Sequence, residues 1–424
     1  MKFIYKLLSL SLAIACLSGC SAANTEIASS SAATATVTPT TDSTEVPASN
    51  NVFTSAGDGL YVTTDSGIYE LQTVFPDSAN IFYTDANTKE RIFLCANPNC
   101  THADESCPSY IATPSAMFPP MLLRVGDQLL VVFTEATDSS NPHGMLMNMD
   151  GSNRRTVFEL ASNQYMQGGF CTSGNDLYFD LYEINDSGNV TYQLWYVSFE
   201  NGTSEKVMDL GSDSDHYSLC DGANNELCFN HVSSDGISYC MYNPQIKTIS
   251  DPFFVDSSVS GNSMIQDGYL FVLDEQASSV QRIRLSDKEQ ASASFTVKEG
   301  FGAPSMRYLF DGNLMITEAQ TTASDIPTDG SYGVCSYILD FGTRNCTEFT
   351  LQTPYNNRPV YVLTTIGDAC YVATDYKTYT PTSVSEDGTV SNFDYVANIY
   401  AFITKQDYIN SNQNGYSMVK DAFE

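Results

Sequence analysis

The sequence predicts an all-β fold, most simply a β-propeller of seven blades. From Val52 onward, short runs of β-branched and aromatic residues alternate with Gly, Asn and Asp turns, without the periodicity of amphipathic helices. A turn followed by an apolar strand recurs seven times along the chain. Most successive copies lie roughly 40 to 50 residues apart, which is the length of a four-stranded propeller blade. Tandem β-sandwiches are the alternative fold that the irregular spacing leaves open.

The seven copies share a turn of Gly, Asn, Asp or Gln and a following run of apolar residues. They are the segments 57–62, 126–131, 174–179, 224–229, 266–271, 311–316 and 367–372. The first and the last intervals are longer than one blade, so we expect an insertion in each of them. Closure into a ring would also leave few free sheet edges among so many short strands.

Residues 1–19 have the pattern of an export signal. Two lysines precede an apolar run that ends at Leu17, and the small residues Ser18 and Gly19 lead into Cys20. The apolar run is shorter than the ~20 residues of a membrane-spanning helix. The sequence from Leu17 to Cys20 resembles the lipidation box of bacterial lipoproteins. This resemblance implies a lipid on Cys20 and attachment of the protein to the extracytoplasmic face of a bacterial cell membrane.

Residues 20–50 are expected to form a lipidated Cys followed by a disordered tether. The segment is rich in Ser, Thr and Ala and has no aromatic or basic residue, so it cannot bury enough apolar surface to fold. As a random coil it would span roughly 30 Å. The tether would hold the folded region, residues 51–424, away from the membrane.

The chain is strongly acidic, with a formal net charge of −31 at pH 7. Lys and Arg are few and scattered, whereas binding to phosphate backbones needs clustered basic side chains. We therefore expect no nucleic-acid partner. The expected partners are an extracellular protein or a glycan, besides the membrane reached through the lipid anchor. Because the sequence shows no coiled coil or amphipathic partner helix, we expect a monomer.

A Cys-rich insertion at about 95–110 contains a candidate metal site. Cys95, Cys100, His102 and Cys107 have the spacing C-x4-C-x-H-x4-C. Three thiolates and one imidazole can complete a tetrahedral structural zinc site. The spacing differs from the common C-x2-C zinc patterns, and thiols of exported proteins often oxidise. Disulfide pairing among the three Cys is therefore the alternative.

Two further Cys pairs are disulfide candidates because each flanks a predicted hairpin turn. They are Cys228 with Cys240, and Cys335 with Cys346. Facing Cys can form a bridge only if their Cα atoms lie within about 7 Å. The alternative is that these Cys are small buried strand residues.

Two resemblances support this interpretation. The Asp-Gly-Ser turn at 150–152 resembles that of TolB-like and YWTD-type propeller blades. The signal, the tether, the run from Cys95 to His102 and the repeats together resemble surface lipoproteins of Gram-positive anaerobes, a group of unknown function. The second resemblance implies a cell-surface location and a propeller fold, but no activity.

The favoured function is therefore a noncatalytic, lipid-anchored protein that binds an extracellular protein or glycan. P-loop, dinucleotide, HExxH and GxSxG motifs are missing from the sequence, and its four His are dispersed. No catalytic residue is predicted. Two alternatives stay open: an extracellular polysaccharide hydrolase or lyase that uses two carboxylates, and a scaffold for cell-envelope assembly.

Overall fold

The computed structural model describes residues 53–55, 59–74, 78–113, 119–137, 139–256, 262–320, 333–379, 382–384, 390–392 and 395–422. These residues belong to one compact unit, Val46–Glu424. The predicted signal, Cys20 and the tether lie outside the described residues. Among the described residues, no helix has both the length and the apolar character needed to cross a membrane.

The described strands fall into seven antiparallel blades in chain order, preceded by a short strand β1 (Thr54–Ser55). Blades 3 and 4 are joined with β1 into one ten-stranded sheet, because Gly211 and Ser212 pair with His216 and Asp215. Blade 1 contains β2 (Tyr61–Thr63), β3 (Gly67–Val74), β4 (Ser78–Asp85), β5 (Arg91–Phe93) and β6 (Tyr110–Ala112). Blade 2 contains β7 (Met121–Val125), β8 (Gln128–Phe133), β9 (His143–Asn148) and β10 (Arg155–Glu159). Blade 3 contains β11 (Gln164–Ser173), β12 (Asp176–Ile184), β13 (Val190–Ser198) and β14 (Thr203–Ser212).

Blade 4 contains β15 (Asp215–Ala223), β16 (Glu226–Ser233), β17 (Gly236–Asn243), β18 (Thr248–Ile249) and β19 (Phe254–Asp256). Blade 5 contains β20 (Ser263–Gln266), β21 (Tyr269–Asp274), β22 (Ser279–Arg284) and β23 (Gln290–Ser294). Blade 6 contains β24 (Phe301–Tyr308), β25 (Leu314–Gln320), β26 (Val334–Asp340) and β27 (Asn345–Phe349). Blade 7 contains β28 (Val362–Ile366), β29 (Ala369–Tyr379), β32 (Tyr395–Thr404) and β33 (Ser417–Met418).

Three further elements belong to blade 7 or lie beside it. The hairpin β30 (Thr382–Val384) and β31 (Val390–Asn392) is inserted between β29 and β32. A short helix, α1 (Lys405–Ile409), and a single 3₁₀ turn (Gln413–Gly415) lead from β32 to β33. The Thr404 side chain caps α1 by accepting a hydrogen bond from the backbone N–H of Asp407.

The recurrent turns of the sequence join the first and second strands of blades 2 to 7. Their positive backbone φ angles explain the choice of residue, because Gly, Asn and Asp tolerate the left-handed conformation. Gly126, Gly174, Asn224, Asp267, Asp311 and Gly367 all have φ between 51° and 59°. The first copy is an exception, since its strand is β2, the first strand of blade 1. The corresponding turn of blade 1 follows Thr64 and contains no positive φ.

The core consists of seven apolar clusters, counted over the described residues, and each cluster joins two neighbouring blades. The cluster around Leu122 and Ile81 joins blades 1 and 2, for example. The last cluster joins Ile68 of blade 1 to Tyr371, Tyr400 and Phe402 of blade 7, so the blades close into a ring. This arrangement confirms the predicted β-propeller and is incompatible with tandem sandwiches.

The ring closes without exchange of strands between the ends of the described chain. The four strands of blade 7 all come from residues after Val360, whereas β1 pairs with the first strand of blade 3. At the closing junction the C-terminal segment follows blade 1: the backbone N–H of Arg91 donates to Lys420, and that of Lys420 donates to Lys89, both at 2.9 Å. The Thr63 and Thr364 hydroxyls meet at 2.9 Å across the same junction.

Candidate metal centre

The Cys-rich segment, residues 95–107, interrupts the outer edge of blade 1. Strand β5 before it and strand β6 after it both pair with β4. Ile81 of β4 joins the two flanks, because its carbonyl accepts from Leu94 at 2.9 Å and its N–H donates to Ser109 at 2.8 Å. The segment is therefore a loop whose two ends are hydrogen-bonded to the same strand.

Two tight turns shape the segment. The N–H of Cys100 donates to the carbonyl of Asn97 at 3.2 Å, and the N–H of Cys107 donates to Asp104 at 3.0 Å. The side chains of Asn97 and Asp104 accept further backbone hydrogen bonds within their own turns, as Asn and Asp commonly do. The first turn contains Pro98 and brings Cys95 and Cys100 together.

The four predicted ligand residues converge. One ligand atom each from Cys95, Cys100, His102 and Cys107 can be chosen so that all four lie within 4.8 Å of one another. The Nδ1 atom of His102 lies 3.2 Å from the Sγ of Cys107. With Zn–S bonds of about 2.3 Å, a tetrahedral site holds its ligand atoms roughly 3.5 to 4 Å apart. The group therefore has the size and the donor set of a metal site.

The protonation equilibria of the thiols differ sharply within the group. Burial raises the pKa of Cys107, but hydrogen bonds with Ser109 and His102 outweigh it and lower this pKa to about 6. Burial raises the pKa of Cys95 to about 11. Because metals bind thiolates, Cys107 is better prepared for coordination at neutral pH than Cys95, which would lose its proton on metal binding.

Neighbouring side chains orient the ligands. The His102 ring stacks on Phe93 at 4.0 Å with an interplanar angle of 8°, and the carbonyl of His102 accepts from the Asn80 side chain at 3.2 Å. The hydroxyl of Ser109 lies 3.1 Å from the Cys107 sulfur and 3.4 Å from the Oδ1 of Asn80, so its one proton can be shared between these two acceptors. Such outer contacts fix ligand orientation in metal sites. Asn80 and Ser109 do not belong to the Cys and His pattern, so the sequence alone does not indicate their role.

The other Cys candidates do not face each other. Ten Cys within the described residues are unpaired. Cys228 lies opposite Met241 and Cys240 lies opposite Phe229, and the two thiols belong to clusters on different faces of blade 4. Likewise, Cys335 lies opposite Glu318 and Cys346 lies opposite Leu339. The register gives neither pair the facing geometry expected from the hairpin turns.

Comparison with known proteins finds similarity at the level of the fold. No protein-family model matches the sequence, and no curated protein is significantly similar to it. Among solved structures, the β-propeller domain of the trilobed protease from Pyrococcus furiosus is 12% identical, with a TM-score of 0.36, over 72% of this chain and 99% of that one. A putative 6-phosphogluconolactonase from Bacteroides fragilis is also 12% identical, with a TM-score of 0.40, over 84% and 100%.

The tricorn protease is 11% identical with a TM-score of 0.31, and the match covers 81% of this chain. The chain spans only 35% of the length of that protein. At these identities the similarities do not extend to activity or ligands. The blade order and the closed ring of interblade clusters identify the fold, and the chain is an all-β propeller.

Proposed function

We propose that this protein is a lipid-anchored extracellular binding or scaffold protein whose first blade contains a structural zinc site. The convergence of three thiols and one imidazole within 4.8 Å supports the zinc site. A set of four protein ligands leaves no open coordination position, which is typical of structural rather than catalytic zinc. The N-terminal lipidation pattern supports anchoring at a bacterial cell surface.

Zinc would stabilise a segment that has little other internal structure. Residues 95–107 contain no strand or helix, and their backbone hydrogen bonds to the rest of blade 1 lie mainly at the two ends. Cys107 is buried, but Cys95, Cys100 and His102 are only half-buried. Metal ligation would therefore replace the apolar core that so short a segment cannot form.

Native mass spectrometry of the detergent-solubilised full chain tests the zinc site. We expect one zinc per chain, lost on denaturation and missing from the Cys100→Ser and His102→Ala variants. Cys346→Ser is the matched control, because Cys346 is an exposed thiol of blade 6. A metal-free chain whose mass shows oxidised, paired thiols in this segment would refute zinc in favour of a disulfide.

Fractionation of cells tests the anchor, and crosslinking on intact cells tests the binding role. In the fractionation we expect the protein in the membrane fraction, and the Cys20→Ala variant should be released because it cannot be lipidated. Crosslinking should capture an extracellular protein or a glycan in defined stoichiometry. Turnover of a polysaccharide by the purified protein would contradict the proposal, and so would an unchanged membrane association of Cys20→Ala.

A further inference from the structure

A row of aromatic side chains crosses blade 3 and reaches the first strand of blade 4. Tyr165 of β11 pairs with Tyr182 of β12, and Tyr182 pairs with Tyr192 of β13. Tyr192 pairs with Gly211 of β14, which in turn pairs with His216 of β15. Directly paired residues lie on the same face of a sheet, so the four rings follow one line. We call Tyr165, Tyr182, Tyr192 and His216 the aromatic row.

Stacking fixes the rings of the aromatic row. The centroids of Tyr165 and Tyr182 are 5.0 Å apart with an interplanar angle of 14°, and those of Tyr182 and Tyr192 are 6.1 Å apart. Tyr192 and His216 stack at 3.8 Å with an angle of 5°. They come from strands separated by β14, and Gly211 of that strand has no side chain to keep them apart. A surface with fixed rings loses less conformational entropy when it binds a partner.

The aromatic row is accessible to solvent. Its four residues are half-buried. The hydroxyls of Tyr165 and Tyr182 have no hydrogen-bond partner within the part of the chain that the structure describes, and neither oxygen is buried. Both hydroxyls can therefore form hydrogen bonds with a bound molecule. Accessible Tyr side chains with few freely rotating bonds are typical of surfaces that bind proteins.

Two carboxylates act on the aromatic row. Burial raises the pKa of Tyr182, and so does the nearby carboxylate of Glu135, which follows β8 in blade 2. Burial and the carboxylate of Asp213, in the connection between β14 and β15, likewise raise the pKa of Tyr192. The negative charge of Glu135 and Asp213 therefore lies close enough to the rings to affect a molecule bound there.

Blade 3 offers few cations to balance these charges. Residues 164–215 contain nine Asp or Glu and a single basic residue, Lys206. Its Nζ already forms an ion pair with Asp209 at 3.0 Å. A partner with positive charge is therefore the one that complements this surface.

The aromatic row and the predicted tether meet blade 3 at opposite ends. Strand β1, which follows the tether in sequence, pairs with Cys171 and Thr172 near the end of β11. Tyr165 lies near the beginning of β11, seven residues before Thr172. A strand of that length spans about 20 Å. A chain anchored through Cys20 would thus carry the aromatic row at the end of blade 3 that lies away from the tether.

We propose that the aromatic row is the surface with which this protein binds a basic segment of an extracellular protein. Lys or Arg side chains of the partner form ion pairs with Glu135 and Asp213, and their aliphatic stems pack against the rings. A protein segment fits better than a glycan, because Tyr182 and Tyr192 have ring neighbours on both sides, which leaves little of their faces free for sugars. This inference rests on the proposed binding role and specifies the partner and the surface.

Fluorescence anisotropy with the detergent-solubilised full chain tests the surface. The probes are a labelled peptide of four Arg alternating with four Ser, the same peptide with Gln for Arg, and a labelled oligomer of glucosamine as a cationic glycan. We expect only the Arg peptide to bind well. Tyr182→Leu should weaken its binding about tenfold, as for a central aromatic residue of an interface. Glu135→Gln should weaken it about two- to threefold, as for one accessible ion pair.

Three further variants control for net charge and for folding. Asp368→Asn removes the same charge as Glu135→Gln, but from an exposed turn of blade 7, and should leave binding unchanged. Tyr355→Leu removes a Tyr that is 56% exposed and lies outside the row, and should also bind like wild type. The double variant Tyr165→Phe, Tyr182→Phe keeps the stacked rings and loses only two hydroxyls. It should weaken binding about three- to tenfold, and it tests the row even if Tyr182→Leu does not fold.

The outcomes separate this inference from the proposed function. Equal affinities of wild type, Glu135→Gln and the double Phe variant would place the Arg peptide elsewhere and overturn the inference, while the binding role would stand. Equal weakening by Glu135→Gln and Asp368→Asn would attribute the binding to net charge and overturn it as well. So would binding of the glucosamine oligomer without the Arg peptide, since the partner would then be a glycan. Turnover of a polysaccharide would contradict the proposed function itself.

Discussion

Asp180 is a fully buried carboxyl group whose surroundings favour the neutral form. It lies on β12, the second strand of blade 3, and one of its oxygens accepts from the backbone N–H of Leu219 in blade 4 at 3.1 Å. Burial raises its pKa to about 7, although hydrogen bonds from backbone N–H groups oppose this effect. At neutral pH the propeller therefore contains a carboxyl that is close to its titration midpoint.

This raised pKa predicts a pH-dependent stability. The folded state binds the proton more tightly than the unfolded state, so Asp180 stabilises the fold fully below about pH 4, and this stabilisation is lost as the pH rises through about 7. The difference between about 7 and the ordinary value of 3.8 corresponds to at most about 4 kcal/mol. The free energy of unfolding of Asp180→Asn, relative to wild type, should increase by up to this amount between pH 4 and pH 8.

Urea unfolding at a series of pH values measures this difference. A pH-independent cost of the Asn side chain cancels, because only the slope is compared. Asp150→Asn is the control: Asp150 is exposed, and hydrogen bonds from Ser152 lower its pKa, so its substitution should produce no slope above about pH 5, where Asp is ionised in the folded and the unfolded chain. If the free energies of unfolding of wild type and Asp180→Asn changed in parallel between pH 4 and pH 8, Asp180 would be ionised throughout this range.

At the scale of single elements, the strand β11 contains a register shift at the place where blade 4 packs closely against it. The pairing of β11 with β12 shifts between Met166 and Phe170. A Cβ atom on Gly169 would lie 2.1 Å from the carbonyl oxygen of Leu219 and 2.7 Å from Asp180. Gly168 has a φ of +96°, but a Cβ atom added there would meet no other atom within 4 Å. The two glycines therefore serve different purposes, one close packing and the other backbone conformation.

Substitution of these two glycines should separate the two effects. Gly168→Ala should cost about 1 kcal/mol, since only the backbone conformation is strained. Gly169→Ala should cost more, because blade 4 must move away from blade 3; overpacking typically costs about 1 to 3 kcal/mol. Equilibrium unfolding in urea compares the two variants. A larger loss for Gly168→Ala would contradict the close packing of β11 against Leu219.

The hairpin turns and the Cys-rich segment show which parts of the structure can be predicted from sequence. The hairpin turns of blades 2 to 7 were predictable because a positive φ restricts the residue type, as at Asn224 and Asp267. The turn of blade 1 needs no such residue, and the first repeat of the sequence precedes β2, the first strand of its blade, instead of the second strand. In the candidate metal centre, the group that converges was predictable because three Cys and one His lie within residues 95–107 of the sequence. The outer contacts were not predictable: Asn80 lies on β4, which comes near the Cys-rich segment only in the folded chain, and Ser109, two residues after Cys107, is not part of a Cys and His pattern.

At the scale of the whole molecule, the junction between blades 7 and 1 differs from the others. Its apolar cluster has only four buried residues among those described, and a buried ionic group supplements it. Two nitrogens of Arg91 donate to one oxygen of Glu70 at 3.0 and 2.9 Å, and a third donates to Asp421 at 3.1 Å. Tyr400 of blade 7 donates to the other oxygen of Glu70 at 2.5 Å. This closing ion cluster thus joins the first blade, the last blade and the C-terminal segment.

Arg91 should therefore be critical for keeping the ring closed. It is 1% exposed, and its guanidinium stacks on Phe82 at 3.7 Å. Arg91→Ala would leave Glu70 buried without its cation, and loss of one partner of a buried ion pair typically costs about 3 to 5 kcal/mol. We expect a loss of this size in urea unfolding, together with faster amide exchange in β2 and β28, the innermost strands at the closing junction.

Lys420→Ala provides the control, because Lys420 forms an exposed ion pair with Glu90 in the same C-terminal segment. An exposed pair contributes about 0 to 1 kcal/mol, so this variant should behave like wild type. The double variant Arg91→Met, Glu70→Leu should recover part of the stability, since Glu70 is then no longer a buried carboxylate without its cation. The recovery should be incomplete, because Asp421, whose side chain is 17% exposed, still loses its ion pair with Arg91. If Arg91→Ala unfolds at the same urea concentration as Lys420→Ala, the apolar contacts of Ile68 with blade 7 would be sufficient to close the propeller.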